Sequence, residues 1–129
     1  MRIDTLTYSN IQTQGAKRRT WLRQHSPRHL EQCAALILHA IQQRRPSVSS
    51  STLVLGAGAC TEVPLTDLVR ASDEVVLADL DLAAMQQAQA ELPSLAQRKR
   101  IRLVASDLTG GVSASLNRLI EHQPWKAPV

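Results

Sequence analysis

The chain has 129 residues, 43% of them apolar and 20% charged, which suits a single domain with a packed core and excludes wholesale disorder. It lacks Phe, and aromatic residues total 2%, which argues against recognition of single-stranded nucleic acid by stacking. No apolar run approaches the ~20 residues of a membrane span. The two cysteines, Cys33 and Cys60, fit a reducing compartment better than a disulfide scaffold. We therefore expect a cytoplasmic protein without a membrane segment.

The net charge of +4 is unevenly distributed. Residues 1–50 carry eight Lys and Arg against two acidic residues, whereas residues 51–129 carry seven against nine. The basic half either forms an ordinary solvated surface or contacts a polyanion such as nucleic acid. No metal site is expected, because His25 and His29 have no carboxylate at a ligand spacing.

Residues 1–50 are predicted to form an N-terminal helical segment. A short helix can cover residues 16–24, and Ser26 with Pro27 favours the start of a second one, since Ser caps helices and Pro suits the first helical position. Apolar residues then follow at helical spacing until Pro46 ends the helix: Leu30, Ala34, Ile37 and Ile41.

Residues 51–129 are predicted to form a partial Rossmann-like unit. Apolar runs at residues 53–55, 75–78 and 101–105 read as strands, and helical patterns at 63–70, 81–92 and 112–122 follow them. Alternation of this kind predicts an α/β fold with a truncated parallel sheet of three strands in the order 3-2-1. Leu82, Met85 and Leu92 are the expected inner face of the second of these helices.

A glycine-containing loop, residues 56–62, separates the first predicted strand from its helix. Gly56 permits a tight turn, and Gly58 removes a side chain where a ligand would touch the backbone. Thr61 stands where a dinucleotide fingerprint has its third glycine, and no phosphate-binding Gly-Lys-Ser/Thr motif follows. The loop therefore suggests a nucleotide-like ligand without a pyrophosphate, although two glycines also suit a purely structural turn.

Each of the other two predicted strands is followed by a carboxylate, Asp79 after the second and Asp107 after the third. Asp79 follows Gly56 by 23 residues, the spacing of an acidic residue that accepts hydrogen bonds from ribose hydroxyls. Asp107 could accept one from an exocyclic amine, while Asp81 reads as a helix cap. The alternatives are a solvent-exposed carboxylate at Asp79 and a side-chain turn at Asp107.

Residues 52–111 resemble the class I S-adenosylmethionine-dependent methyltransferases, through the glycine loop, the second strand end and the third strand end. The resemblance implies that the glycine loop faces the methionine part of the cofactor, that Asp79 holds the ribose, and that Asp107 and Leu108 hold the adenine. The cofactor-binding residues expected on this basis are Gly56, Ala57, Gly58, Glu62, Asp79, Leu80, Asp107 and Leu108.

The chain departs from that family in two ways. Val54 stands where the family usually has an acidic residue, a role that Glu62 is expected to take over. No strand pattern follows residue 117, so a fourth strand beside the first is not expected, and the first strand would expose an apolar edge. The chain is therefore expected to be a fragment of a longer protein or to form a homodimer through that edge.

The first functional hypothesis is a cofactor-binding portion of a methyltransferase that is inactive alone, with unknown catalytic residues and an unknown methyl acceptor. The second is a non-catalytic interaction module that docks on nucleic acid or another subunit. The third is a binder of a nicotinamide dinucleotide, which Thr61 disfavours.

Overall fold

The computed structural model describes residues 17–44 and 49–122, which form a small parallel sheet with helices before, between and after its strands. The three strands are β1 (Ser51–Leu55), β2 (Glu74–Asp79) and β3 (Ile101–Ala105). The helices are α1 (residues 17–25), α2 (Pro27–Gln42), α3 (Leu65–Ala71), α4 (Leu82–Ala90), α5 (Leu95–Lys99) and α6 (Val112–His122).

The sheet has the order β1-β2-β3, with both pairs parallel, so the predicted α/β fold and strand order are confirmed. Leu55 of β1 lies opposite Ala78 of β2, and Asp79 lies opposite Ala105 of β3. This register brings the carboxyl ends of all three strands to one edge of the sheet, which is where ligands bind in open α/β sheets.

The apolar cluster that joins the sheet to its helices lies on one face of the sheet. Val75 and Leu77 of β2 are fully buried there, and they join one cluster with Leu68 and Val69 of α3 and Met85 of α4. On the opposite face, Leu53 and Leu55 of β1 remain 59% and 64% exposed. The helices that connect the strands therefore cover a single face, because their apolar residues pack with the side chains of only that face.

Local chemistry fixes where α3 and α4 begin. Pro64 precedes α3, so the helix starts two residues later than the sequence predicts. Asp81 caps α4 as predicted, since its Oδ1 accepts a hydrogen bond from the backbone N–H of Ala84 at 2.9 Å.

The inner face of α4 differs in one residue from the prediction. Met85 and Leu92 are buried as predicted. Leu82 is 41% exposed, so its assignment to the inner face is wrong, and Ala88 packs inward instead.

A short helix, α5, lies between α4 and β3 and was not expected from the sequence. Ser94 starts it by accepting a hydrogen bond from the N–H of Gln97 at 3.2 Å. Five residues span too few turns to produce a recognisable apolar period, and a helix this short depends on its surroundings for stability. The arginine that follows it, Arg100, donates to the carbonyl of Val69 in α3 at 3.1 Å.

The N-terminal helices α1 and α2 lie close to the predicted positions, although Pro46, the expected stop of α2, lies outside the described residues. Only part of the apolar stripe of α2 is used: Ile37 and Ile41 pack against the core cluster, whereas Leu36 is 72% exposed. Across residues 17–44 and 49–122, no helix has both the length and the apolar content needed to cross a membrane.

Replacing Leu77 by Ala should lower the free energy of unfolding by about 2–5 kcal/mol, because the change leaves a cavity in the fully buried centre of the sheet. Urea unfolding followed by circular dichroism measures the loss. Leu95→Ala is the matched control: Leu95 is 64% exposed, and its truncation should cost no more than about 0.5 kcal/mol. Equal losses in both variants would contradict the burial of Leu77 in the core.

Candidate functional site

The loops that follow the three strands lie side by side at the carboxyl edge of the sheet. The backbone N–H of Gly56 donates to the carbonyl of Ala78 at 2.8 Å, which joins the first two strand ends. The N–H of Ser106 donates to the carbonyl of Asp79 at 3.0 Å, which joins the second and third. We call this edge the strand-end rim and define it as residues 56–62, 79–81 and 106–108.

The glycine loop of the rim takes backbone conformations that side chains disfavour. Gly56 and Gly58 have φ angles of +69° and +49°, and Cys60 also lies in the left-handed region at +54°. The N–H of Cys60 closes a turn on the carbonyl of Ala57 at 2.9 Å. A Cβ atom built on Gly56 would meet no atom within 4 Å, so the loop needs glycine there for its φ angle and not for lack of space at Cβ.

The Asp79 carboxylate connects two of the three loops. Its Oδ2 accepts a hydrogen bond from the N–H of Gly58, and its Oδ1 accepts one from the N–H of Asp81, both at 2.9 Å. The side chain is only partly buried, and each carboxylate oxygen has a second lone pair. Asp79 is therefore a structural tie that still has acceptor capacity for an incoming hydroxyl.

Asp107 forms a side-chain turn, one of the two roles that the sequence suggested for this residue. Its Oδ1 accepts hydrogen bonds from both the hydroxyl and the backbone N–H of Thr109. The Thr109 hydroxyl contributes most to holding the pKa of Asp107 below its ordinary value, followed by the Thr109 N–H, so this exposed carboxyl stays ionised. Beside it, Leu108 is 49% exposed, and Leu80 at the neighbouring strand end is 53% exposed.

Glu62, at the end of the glycine loop, and Val54, in the strand before it, contact other parts of the protein. Glu62 is half-exposed, and its Oε1 lies 4.0 Å from Nη2 of Arg18 in α1. Val54 packs against the core cluster from β1. The structure therefore gives Glu62 an ion-pair partner on α1, and it does not bring the Glu62 carboxylate into contact with Asp79.

Cys60 is 7% exposed, and burial raises the pKa of its thiol to about 11. A helix N-terminus close to the thiol would lower this pKa instead. The helix α3 begins five residues after Cys60, at Leu65, and the positive charge of Arg19 offsets burial only in part. The thiol is therefore a small buried group that fits the loop, and it is not activated as a nucleophile.

Sequence reasoning missed the role of Arg19, which looked like one member of a basic solvated run. Its side chain is 6% exposed, and its guanidinium contacts the Glu91 carboxylate after α4. The two residues are 72 positions apart, and nothing in the local pattern of either indicates the pairing.

Further along α1, Trp21 stacks on His25 with ring centroids 4.9 Å apart. No group of three metal-ligating side chains forms among the described residues.

Comparison of the chain with models of protein families and with curated proteins yields no significant match.

Iodoacetamide should modify Cys60 slowly at pH 8, since a thiol of pKa about 11 has a thiolate fraction roughly a hundredfold below that of an ordinary cysteine. Cys33, half-buried on α2, should react first. Mass spectrometry of peptides from labelled protein separates the two sites. Both should label in urea at the same pH, and the native-state rate at Cys60 should rise steeply between pH 9 and 11. Rapid labelling of Cys60 in native protein at pH 8 would contradict its enclosure.

Proposed function

We propose that the strand-end rim binds the adenosyl group of S-adenosylmethionine or of its demethylated product, S-adenosylhomocysteine. The contact between the N–H of Gly58 and the Asp79 carboxylate carries the proposal, because it brings a side-chain-free stretch of backbone and an acceptor for hydroxyls together. A Cβ atom built on Gly58 has one neighbour, Asp79 Oδ2, at 4.0 Å, so the loop backbone there is accessible.

The rim has a suitable group for each part of such a ligand. The spare lone pairs of Asp79 can accept from the two ribose hydroxyls. The N–H groups of Ala59 and Thr61 donate to no acceptor within residues 17–44 and 49–122, which leaves them for a carboxylate. The exposed side chains of Leu80 and Leu108 offer apolar contact to an adenine ring.

In methyl transfer the sulfonium of the cofactor supplies the activation, and the protein supplies orientation. The rim residues hold the cofactor in this scheme, and we assign no catalytic residue and no methyl acceptor to the chain. We propose that it is the cofactor-binding portion of a methyltransferase-like protein that works in the cytoplasm and has no turnover alone. The exposed arginines of α1 and α2 leave docking on nucleic acid as the alternative function.

Isothermal titration calorimetry with S-adenosylhomocysteine should show binding, and Asp79→Ala should weaken it at least about tenfold through loss of the ribose acceptor. Asp67→Ala is the control, because it also removes one carboxylate, but from an exposed pair with Arg70. Asp79→Ala also removes the hydrogen bond to Gly58, so a second variant is needed that leaves this bond intact. Leu108→Glu is that variant, and it should also weaken binding, because Leu108 is proposed to contact the adenine ring. Leu95→Glu is its control, on a leucine that is also exposed but lies outside the rim.

Absence of heat with either ligand at about 1 mM, a concentration that would reveal even weak binding, would overturn the proposal. Displacement of S-adenosylhomocysteine by NAD would favour the dinucleotide reading instead. Salt-sensitive binding of RNA that is unchanged by Asp79→Ala, together with no binding of the nucleoside, would favour the interaction module.

We also propose that the free edge of β1 pairs with β1 of a second copy. Among the described residues no strand pairs with this edge, and the strand Ser51–Leu55 has no charge, proline or bulge to prevent pairing. A groove of about 550 Å³ runs beside it, lined in part by Ile37, Ile41 and Leu55. An uncharged strand is compatible with its own two-fold copy, since pairing brings no like charges together.

Light scattering after size exclusion should give a dimer at micromolar concentration, and Leu53→Lys should give a monomer. The lysines of two copies would lie close together on the paired strands, and like charges on neighbouring strands repel each other. Leu119→Lys on α6 is the control, because Leu119 is 60% exposed, as Leu53 is at 59%. A monomeric parent protein at micromolar concentration would contradict the paired edge.

A further inference from the structure

A second concave site lies on the helical side of the molecule, between α1, the start of α3 and the end of α4. It is a cleft of about 360 Å³, lined among others by Arg19, Arg23, Thr61, Ala88 and Leu92. Its lining includes neither of the two glycines and none of the four carboxylates of the rim. The cleft and the strand-end rim share only the stretch 59–61 and are otherwise separate surfaces.

The charges in this cleft are not balanced by their protein partners. Arg19 and Arg23 both direct a terminal guanidinium nitrogen to the same atom, Oε2 of Glu91, and the Arg23 distance is 3.4 Å. One carboxylate thus serves two cations. The other acidic side chain of the lining, Asp67, lies 3.9 Å from a cation of its own, Arg70. The pair of guanidinium groups therefore has a surplus of positive charge.

Arg19 is the group for which this surplus is most unfavourable. Its side chain is 6% exposed, so water cannot solvate the charge, and its Nε is buried without a hydrogen-bond partner among the described residues. A buried donor left unsatisfied costs the protein its desolvation free energy, and a buried charge costs more. An anion in the cleft would offset the surplus charge, because guanidinium groups bind planar and tetrahedral oxyanions through paired N–H donors.

We infer that this cleft is a ligand site for a small molecule with an oxyanion head, phosphate or carboxylate, and a short apolar body. Arg19 and Arg23 would bind the head. The buried side chains of Ala88 and Leu92 form an apolar wall for the body, and the volume falls within the range of small-molecule sites. Glu91 then acts as an internal competitor, since it occupies the guanidinium groups when the ligand is absent.

Calorimetry with four probes tests this site: phenyl phosphate, inorganic phosphate, benzoate and phenol. Phenyl phosphate should bind more tightly than inorganic phosphate, because it also contacts the apolar wall, and phenol should not bind. The ratio of the affinities for phenyl phosphate and benzoate identifies the preferred head. Arg23→Gln should weaken phenyl phosphate binding about tenfold, since it removes one of the two charged donors.

Two variants separate a ligand site from a structural ion pair. Glu91→Gln should strengthen phenyl phosphate binding severalfold, because the competing carboxylate is gone, whereas a merely structural pair predicts weaker binding or none. Arg28→Gln, at an exposed arginine in the first turn of α2, should leave the affinity unchanged. Circular dichroism of each variant verifies that the fold is retained.

The inference fails if neither phenyl phosphate nor benzoate binds at about 10 mM, beyond the range of useful affinities. It also fails if Arg23→Gln and Arg28→Gln reduce binding equally, which would indicate general attraction to a basic surface. Displacement of phenyl phosphate by S-adenosylhomocysteine would overturn the claim of a second ligand. If the protein binds phenyl phosphate but not S-adenosylhomocysteine, only the proposed function of the rim is overturned.

Discussion

The Asp79 carboxylate is the interaction on which the carboxyl edge of the sheet depends. It receives backbone N–H groups from Gly58, 21 residues before it, and from Asp81, two residues after it. Hydrogen bonds to a charged acceptor are worth about 1.5–3 kcal/mol each, enough to offset the cost of about 1–2 kcal/mol of the left-handed φ angle at Cys60 in the glycine loop. The same carboxylate is the acceptor that we propose for a ribose. A ligand at the rim must therefore share Asp79 with the protein's own backbone.

The one-sided arrangement of the helices gives the sheet two unlike faces. Leu77 is fully buried beneath the helical layer, whereas Leu53 and Leu55, which flank its partner Val54 on the adjoining strand, point to the open side. Right-handed connections between adjacent parallel strands in one direction place every connecting helix on the same face, so this asymmetry follows from the strand order. The rim is thus supported from the helical side by α3 and α4, and β1 remains available at the sheet edge.

The helix α1 contributes ion pairs to the same region. Arg18 lies near Glu62 of the glycine loop, and Arg19 contacts Glu91 at the end of α4. Exposed ion pairs contribute little to stability, but a nearly buried guanidinium must be compensated. This requirement explains why an otherwise polar helix is fixed next to the loop, and the rim and the cleft share residues 59–61 of that loop.

The sequence by itself determined the strands, their order and the position of each strand-end residue, because apolar runs ending at Gly56, Asp79 and Asp107 are local signals. It also determined the Asp81 cap. It did not determine α5, which is too short to show a period, or the exposure of Leu82. Only the tertiary structure decided that Asp79 binds Gly58 and that Arg19 is buried against Glu91. Both pairings join segments far apart in the chain, and they depend on strand register and helix packing, which no local pattern encodes.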